Sequence, residues 1–257
     1  MACSRSLRDC AVVLDGYHFT TACQSLIREA ARTLLVIDDY HHLSSYDCDI
    51  LLNQNPGSEE YRYDGRAGLK LLGLDYALLR PEFQTPPLSV SQARALLLSL
   101  GGGNASAVLP SLVPGLSSPS LTGRTLRVIA GSMSADAIRK ALGGTAARLE
   151  IVRHVDDMPA LLAGTEMCIS AGGSTCWELC RMGIPFLTVE IAENQRRICD
   201  WLDAHAYAPR FSAPAFTALL NDAERRTRCA AALRKLVDGR GAARVILRLR
   251  EAYAMAH

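Results

Sequence analysis

Two glycine-rich turns carry the most chemistry in this 257-residue chain, Gly101-Gly102-Gly103-Asn104 and Ser170-Ala171-Gly172-Gly173-Ser174-Thr175. Each follows a short apolar run, 95–100 and 167–169, that reads as a buried strand, and each precedes a helical pattern. A strand end, a turn of little bulk and a helix N-terminus aim backbone N–H groups at an anion. Two such turns in one compact half predict a diphosphate, that of a nucleotide or a nucleotide-sugar. Cleaving a sugar–phosphate bond also needs a nucleophile stripped of its proton at the anomeric carbon. Asp15-Gly16-Tyr17-His18 follows another strand-like run. Histidine is the side chain whose ordinary titration suits a general base near neutrality, so His18 is a candidate base and Asp15 a candidate to orient it. An ordinary loop histidine beside a turn aspartate fits the same residues. His41 and His42 follow Asp38-Asp39 and read first as ordinary loop histidines, and a metal site built from Asp38, Asp39 and His41 is conceivable.

Positioning these residues takes a series of βα units. Strands are expected over 10–15, 33–37 and 49–53, with a further apolar segment over 71–79. Three of them run into polar residues, as in an open sheet with ligands outside its carboxyl edge. After 84–92, which contains Pro86-Pro87, a second series follows: strands over 95–100, 125–129, 148–152, 167–169 and 185–189, with helices over 135–142, 158–163, 175–182 and 194–205. The strands are continuously apolar, as a parallel sheet requires. Residues 105–125 read as a short helix with a loop. Terminal helices are expected over 215–237 and 242–254, the last docked by Ile246, Leu247 and Leu249. The division is therefore 1–83, a linker 84–92, and 93–257.

Composition bounds the rest. Half the residues (49%) are hydrophobic, 21% are charged and the net charge is +2, which excludes an acidic disordered chain and gives no basic surface for nucleic acid. No stretch has the length of a membrane span and the first residues have no apolar signal core, so a cytoplasmic protein without membrane insertion is expected. The nine cysteines are odd in number and scattered through apolar patterns, the reading of buried free thiols.

Gly172-Gly173-Ser174-Thr175-Cys176-Trp177-Glu178-Leu179, followed by Gly183-Ile184-Pro185 and Glu193-Asn194-Gln195, resembles the C-terminal half of GT-B glycosyltransferases, nearest the MurG-like group. Adding Val36-Ile37-Asp38-Asp39, Leu51-Leu52-Asn53-Gln54-Asn55 and 76–83 (Tyr-Ala-Leu-Leu-Arg-Pro-Glu-Phe) makes the ordered set similar to the PseG family over about residues 10–210. That resemblance implies two Rossmann-like parallel-sheet domains and hydrolysis of UDP-2,4-diacetamido-2,4,6-trideoxy-β-L-altropyranose to the free sugar and UDP, in pseudaminic acid biosynthesis, with no cofactor and no metal. It assigns the diphosphate to Gly172, Gly173 and Ser174, beside Gly102 and Gly103 of the first turn. It assigns the ribose hydroxyls to Glu178, the uracil to the loop of His154, Val155 and Met158, and the sugar to Glu193, Asn194 and Gln195; Tyr17 is a further candidate for the sugar. Each also has a plainer reading: tight βα turns, a helix-surface carboxylate, an N-cap at Asp156 or Asp157, a polar helix start. Arg80 is expected to pair with Glu82 or to cap the interdomain hinge.

The family's Gly-His-x-x-Arg motif, which carries its expected base, is missing from this sequence. The expectation is an N-terminal domain lacking its first βα units, whose exposed sheet edge invites pairing with a second copy. Three functions follow: a UDP-sugar hydrolase, a GT-B-type UDP-sugar transferase, or a UDP-sugar-binding module without catalysis.

Overall fold

The computed structural model describes residues 6–84, 95–101 and 105–256. The chain divides into two compact units, Met1–Leu79 with Gly239–His257, and Arg80–Asp238.

The first unit holds a parallel sheet of β1 (Ala11–Asp15), β2 (Thr33–Ile37), β3 (Tyr46–Asn53) and β4 (Gly65–Leu72), in sequential order. A helix, α1 (Thr21–Ala30), joins β1 to β2, its first turn capped by the Thr20 side chain. The other two crossovers have no α-helix. Residues 38–45 and 54–64 return along the sheet as loops, the second with one 3-10 turn, Ser58–Glu60. Because β2 and β3 are apolar at successive positions, both faces need cover. Leu14, Leu34, Val36 and Leu51 pack on one side with Tyr46 and Tyr63. Leu35, Ile50, Leu52 and Leu71 lie on the other, covered by Val245, Leu249 and Ala252 of the C-terminal helix Gly241–Met255.

That packing moves the expected boundary, since the last helix belongs with residues 1–79 rather than with 93–237. Its docking residues also differ. Ile246 and Leu247 are half exposed, whereas Val245, Leu249 and Ala252 recur at helical spacing on the sheet side. At Gly241 a side chain would strike the backbone of Ala77, so glycine is what lets the helix start there. Strand β4 lies six residues before the expected 71–79 segment. As an edge strand it exposes Arg66, Leu69 and Lys70, which dilutes its apolar signal.

The second unit runs β5 (Ala95–Ser99), α2 (Ala105–Leu116), β6 (Thr125–Ile129), α3 (Ala135–Ala141), β7 (Arg148–Val152), α4 (Met158–Ala163), β8 (Thr165–Ala171), α5 (Thr175–Met182), β9 (Phe186–Val189), α6 (Arg196–Ala204), α7 (Ala213–Asn221) and α8 (Ala223–Leu236). All its strands are parallel, in the order β7-β6-β5-β8-β9. This is a doubly wound sheet whose chain direction switches between β5 and β8. The expected helix over 215–237 is two helices, because Asp222 breaks the first and caps the second, accepting from Arg225 N at 2.7 Å. Residues 105–125 form α2 and a 3-10 turn, Pro119–Leu121. Most of the linker 84–92 lies outside the described residues. Among the described residues no helix is long and apolar enough to cross a membrane.

Candidate functional site

The switch point is where the two glycine turns fall. Ser99 of β5 pairs with Ser170 of β8, so both turns leave the sheet from neighbouring strands at the same edge. Gly101 has φ +69°, a conformation that favours glycine, and Gly101 O stands close to Gly131 of the next turn. Gly102 and Gly103 lie outside the described residues.

The second turn is resolved in detail. A side chain at Gly172 would meet Cys199 Sγ and the Gln195 carbonyl oxygen, the latter at 3.1 Å, because α6 packs directly behind it. Gly173 faces open space, with nothing within 4 Å of where a Cβ would stand. Ser174 precedes α5 in helical conformation and its hydroxyl makes no capping bond. Gly172 N and Gly173 N donate to Val189 O at 3.2 Å and Ala171 O at 2.8 Å, so the turn offers open space over Gly173 and, at the helix N-terminus, the Ser174 hydroxyl, which suits a phosphate.

Glu178 sits one turn into α5 with its side chain 16% exposed. Burial pushes its carboxyl above the usual range, Glu82 adds to that, and Arg80 opposes it from 3.5 Å. Arg80 thus pairs with Glu178, not with Glu82 as the sequence suggested. Its segment is held to α5 by Arg181, which donates to the carbonyls of Phe83 at 2.9 Å and Gln84 at 3.1 Å. Glu193, Asn194 and Gln195 form a 3-10 turn just before α6. The Gly172–Gln195 approach brings this turn against the glycine turn. Gln195 is already engaged, its Oε1 accepting from Ile191 N at 3.1 Å.

The loop of His154, Val155 and Met158 follows β7, three strands from β8, about 14 Å away at ordinary strand spacing. His154 and Asp156 pair at 3.0 Å on an exposed surface, Asp157 caps α4 through Ala160 N, and Met158 is buried.

In the first unit the structure separates the expected pair. Asp15 and His18 are both exposed, and no hydrogen bond joins them among the described residues. Gly16 turns the chain at φ +146° and the His18 ring lies against Phe19, centroids 4.1 Å apart. Tyr17 instead donates to Asp39 Oδ2 at 2.7 Å.

The polar centre of this unit is Asp38, at the carboxyl end of β2 and 1% exposed. Its two oxygens accept from six donors: His41 N, His42 N, His42 Nδ1, Tyr46 Oη, Asn53 Nδ2 and Tyr63 Oη. Burial first, and the Asp38 charge second, push the Tyr46 and Tyr63 hydroxyls far above their ordinary values, so both remain proton donors. His41 adopts φ +60°, uncommon for a residue other than glycine. It is held there by the bond to Asp38, by stacking on Tyr61 at 5.0 Å and by Nε2 against Arg62 O at 3.1 Å. Sequence reading took Asp38, Asp39 and Asn53 as polar strand ends within the family resemblance and weighed Asp38, Asp39 and His41 as a metal site, but missed Tyr46 and Tyr63. The available signal was an aspartate closing an apolar strand, two histidines after it, and tyrosines where apolar residues alone would pack.

Comparisons with known proteins agree on the fold. No known protein-family profile matches the chain. It is 24% identical over 210 residues to an uncharacterized protein of Methanocaldococcus jannaschii, covering 76% of this chain and 43% of that one. The chain thus spans less than half the length of that relative. Among solved structures it is similar to Acinetobacter baumannii MurG, with a TM-score of 0.65 at 12% identity, over 94% of this chain and 73% of that one. It is also similar to a Listeria monocytogenes protein assigned as a UDP-N-acetylglucosamine 2-epimerase, with a TM-score of 0.62 at 13% identity, over 96% and 75%. The two parallel sheets and their flanking helices are a GT-B-like architecture.

Proposed function

We propose that this protein binds a UDP-linked sugar through the second unit and cleaves the bond between its anomeric carbon and the diphosphate, passing the glycosyl group to a hydroxyl acceptor. The observation that carries this reading is the adjacency of β5 and β8 at the switch point, each leading into a glycine turn. The N–H and hydroxyl of Ser174 at the start of α5, over the bare Gly173, receive the diphosphate and stabilise it as it leaves, while Gly172 N and Gly173 N shape the turn by donating to Val189 O and Ala171 O. Glu178 accepts from the ribose hydroxyls, and Glu193 and Asn194 face the sugar. The uridine base goes to the 154–158 loop. The fold supports transfer through its likeness to a MurG structure.

Water is the second acceptor, and a specific observation favours it: the ordered motif set at 36–39, 51–55 and 76–83 resembles the PseG-type hydrolases. On that reading the substrate is UDP-2,4-diacetamido-2,4,6-trideoxy-β-L-altropyranose and the product enters pseudaminic acid synthesis. The cytoplasm suits either reaction. Among the described residues eight cysteines are free, five of them buried, which fits a reducing compartment.

The test is UDP release from that sugar and from UDP-N-acetylglucosamine, with and without N-acetylglucosamine as acceptor, alongside UDP affinity by calorimetry. Release in water alone indicates hydrolysis, and release that needs the acceptor indicates transfer. Binding without release indicates a binding module. Glu178→Ala is expected to weaken UDP about tenfold, the worth of about one charged hydrogen bond, and unchanged affinity removes the ribose assignment.

A further inference from the structure

Glu178 and Arg80 form an ion pair that does little for the fold. Both belong to the second unit. Arg80 Nη2 lies 3.5 Å from Glu178 Oε1, a long contact, and the Arg80 side chain is 49% exposed. A pair so open to water contributes little to stability. Residues 80–84 are held against α5 by other means. Arg181 donates to the carbonyls of Phe83 and Gln84, and the Phe83 ring is fully buried. Arg80 Cζ stands 5.5 Å from the centre of that ring, which steers the guanidinium toward Glu178.

Glu178 is the more telling partner. Its carboxylate is largely withdrawn from water, which disfavours the charge, and Glu82 adds a like charge. An uncharged side chain would fill the same place without that penalty. What an ionised carboxylate offers instead is acceptor capacity. It has about four lone-pair sites, so Arg80 can occupy one on Oε1 while two adjacent hydroxyls donate to others. The remaining charges around α5 are turned elsewhere. Arg181 points at the 83 and 84 carbonyls, and Glu166 of β8 pairs with Arg124 and Arg226. Arg234 of α8 stands against Gly183 at the far end of the helix, and α4 carries no charged residue. Among the described residues, Arg80 and Glu82 are the charged groups that face Glu178.

We propose that Arg80 is a specificity-determining residue of the nucleotide site: it holds the Glu178 carboxylate ready to accept from both ribose hydroxyls, and so sets a preference for a ribonucleotide over its 2′-deoxy counterpart. The inference rests on the nucleotide-sugar reading, in which Glu178 meets the ribose. A site built to receive a hydroxyl rejects a ligand that lacks it. Once protonated, Glu178 gives up part of its acceptor capacity and the attraction of Arg80. Arg80 opposes the burial of this carboxyl, so without it the proton is kept to higher pH and the preference is lost sooner.

The test measures the affinities of UDP and 2′-deoxy-UDP by calorimetry from about pH 5 to 9 in wild type, Arg80→Gln, Arg80→Lys, Glu178→Gln and the double variant Arg80→Gln/Glu178→Gln. Both ligands titrate the same phosphate, so the ratio of their affinities isolates the ribose contact. Wild type is expected to prefer UDP about tenfold at alkaline pH, with the preference fading toward acid. Arg80→Gln is expected to move that fading upward by about one pH unit, and Arg80→Lys to restore it. Glu178→Gln should show little preference at any pH, and the double variant no less. Urea unfolding of Arg80→Gln should match wild type. An Arg80→Gln ratio that follows the wild-type curve would overturn the inference alone, as would a further loss in the double variant. A preference for UDP that survives Glu178→Gln, or a wild type with none, would overturn the ribose assignment. A wild type that binds neither nucleotide would overturn the nucleotide-sugar reading itself.

Discussion

Replacing Asp38 with asparagine separates what its charge does from what its shape does. The amide keeps one acceptor oxygen and puts an NH₂ where the other stood, facing donors. With the NH₂ at the Oδ2 position, His41 N and Asn53 Nδ2 are left facing a donor, and a backbone N–H cannot turn away. With the NH₂ at the Oδ1 position, the Tyr46 hydroxyl can rotate to accept and His42 can shift its proton from Nδ1 to Nε2. Only His42 N, already long at 3.4 Å, then loses its acceptor. The second arrangement is therefore favoured. Its cost is the loss of charge assistance: hydrogen bonds to an ionised group contribute roughly 1.5–3 kcal/mol against 0.5–1.5 for neutral ones. About 1 kcal/mol lost at each of four or five bonds is offset in part by no longer burying a charge, leaving a net destabilisation of about 2–4 kcal/mol. Both tryptophans, Trp177 and Trp201, lie in the other unit, so their fluorescence does not follow this one. Hydrogen exchange at the amides of β2 and β3 does. The prediction is faster exchange there by about 30- to 1000-fold, with the His42 proton moved to Nε2, and with Tyr63→Phe giving a smaller change at one donor. Exchange within about fivefold of wild type, together with an unmoved tautomer, would refute the account of Asp38 as the charged hub.

Two further outcomes follow from local geometry. Gly172→Ala must displace Cys199 or the Gln195 backbone and should destabilise the second unit by roughly 1–3 kcal/mol in urea unfolding. Gly173→Ala meets nothing, so it should unfold like wild type while weakening UDP in calorimetry; unaltered affinity would mean that the phosphate does not lie over Gly173. Asp47, almost fully buried, is raised by burial, but Ser25, Arg28 and Arg66 outweigh this and hold its carboxyl below the ordinary 3.8. Its contribution is therefore complete above about 3.8 and is lost as pH falls through the lowered value. Asp47→Asn should flatten that acid limb in thermal melts of the first unit, and an unchanged limb would show that other carboxylates produce it.

The second unit was legible because each of its crossovers follows the local rules. Apolar strands of four to seven residues alternate with helices, and the glycines at 101 and 172 mark the ends of β5 and β8. Expected and observed bounds coincide at 125–129, 148–152, 158–163 and 175–182. The first unit was less legible for a physical reason. Two of its three crossovers carry no α-helix, so the periodicity that marks a βαβ unit stops at residue 37 and the strand at 65–72 went unseen. The cover for its second face comes from residues 245–252, a pairing across the whole chain that no local window contains. The candidate site divides in the same way. Glycine turns are written in contiguous residues, whereas the Asp38 centre draws on positions 41, 42, 46, 53 and 63 and becomes visible only when three strands are aligned.

That contrast connects the architecture of the first unit to its chemistry. A helical crossover satisfies its own backbone and needs only an apolar stripe to dock. A loop crossover must find partners for its N–H groups as it runs back along the sheet. Here the end of β2 supplies one carboxylate, and His41, His42, Tyr46, Asn53 and Tyr63 converge on it. The stability argument accounts for Asp38, for the tyrosines and for Asn53. It also accounts for both backbone bonds at residues 41 and 42, which any residue at 42 would make. It does not account for an imidazole at 42, because Asp38 uses one of its nitrogens and leaves the other buried without a partner. A glutamine there could make the same single bond through its amide. His42→Gln is therefore expected to leave hydrogen exchange in β2 and β3 close to wild type, and a clear acceleration would show that the imidazole itself contributes to stability.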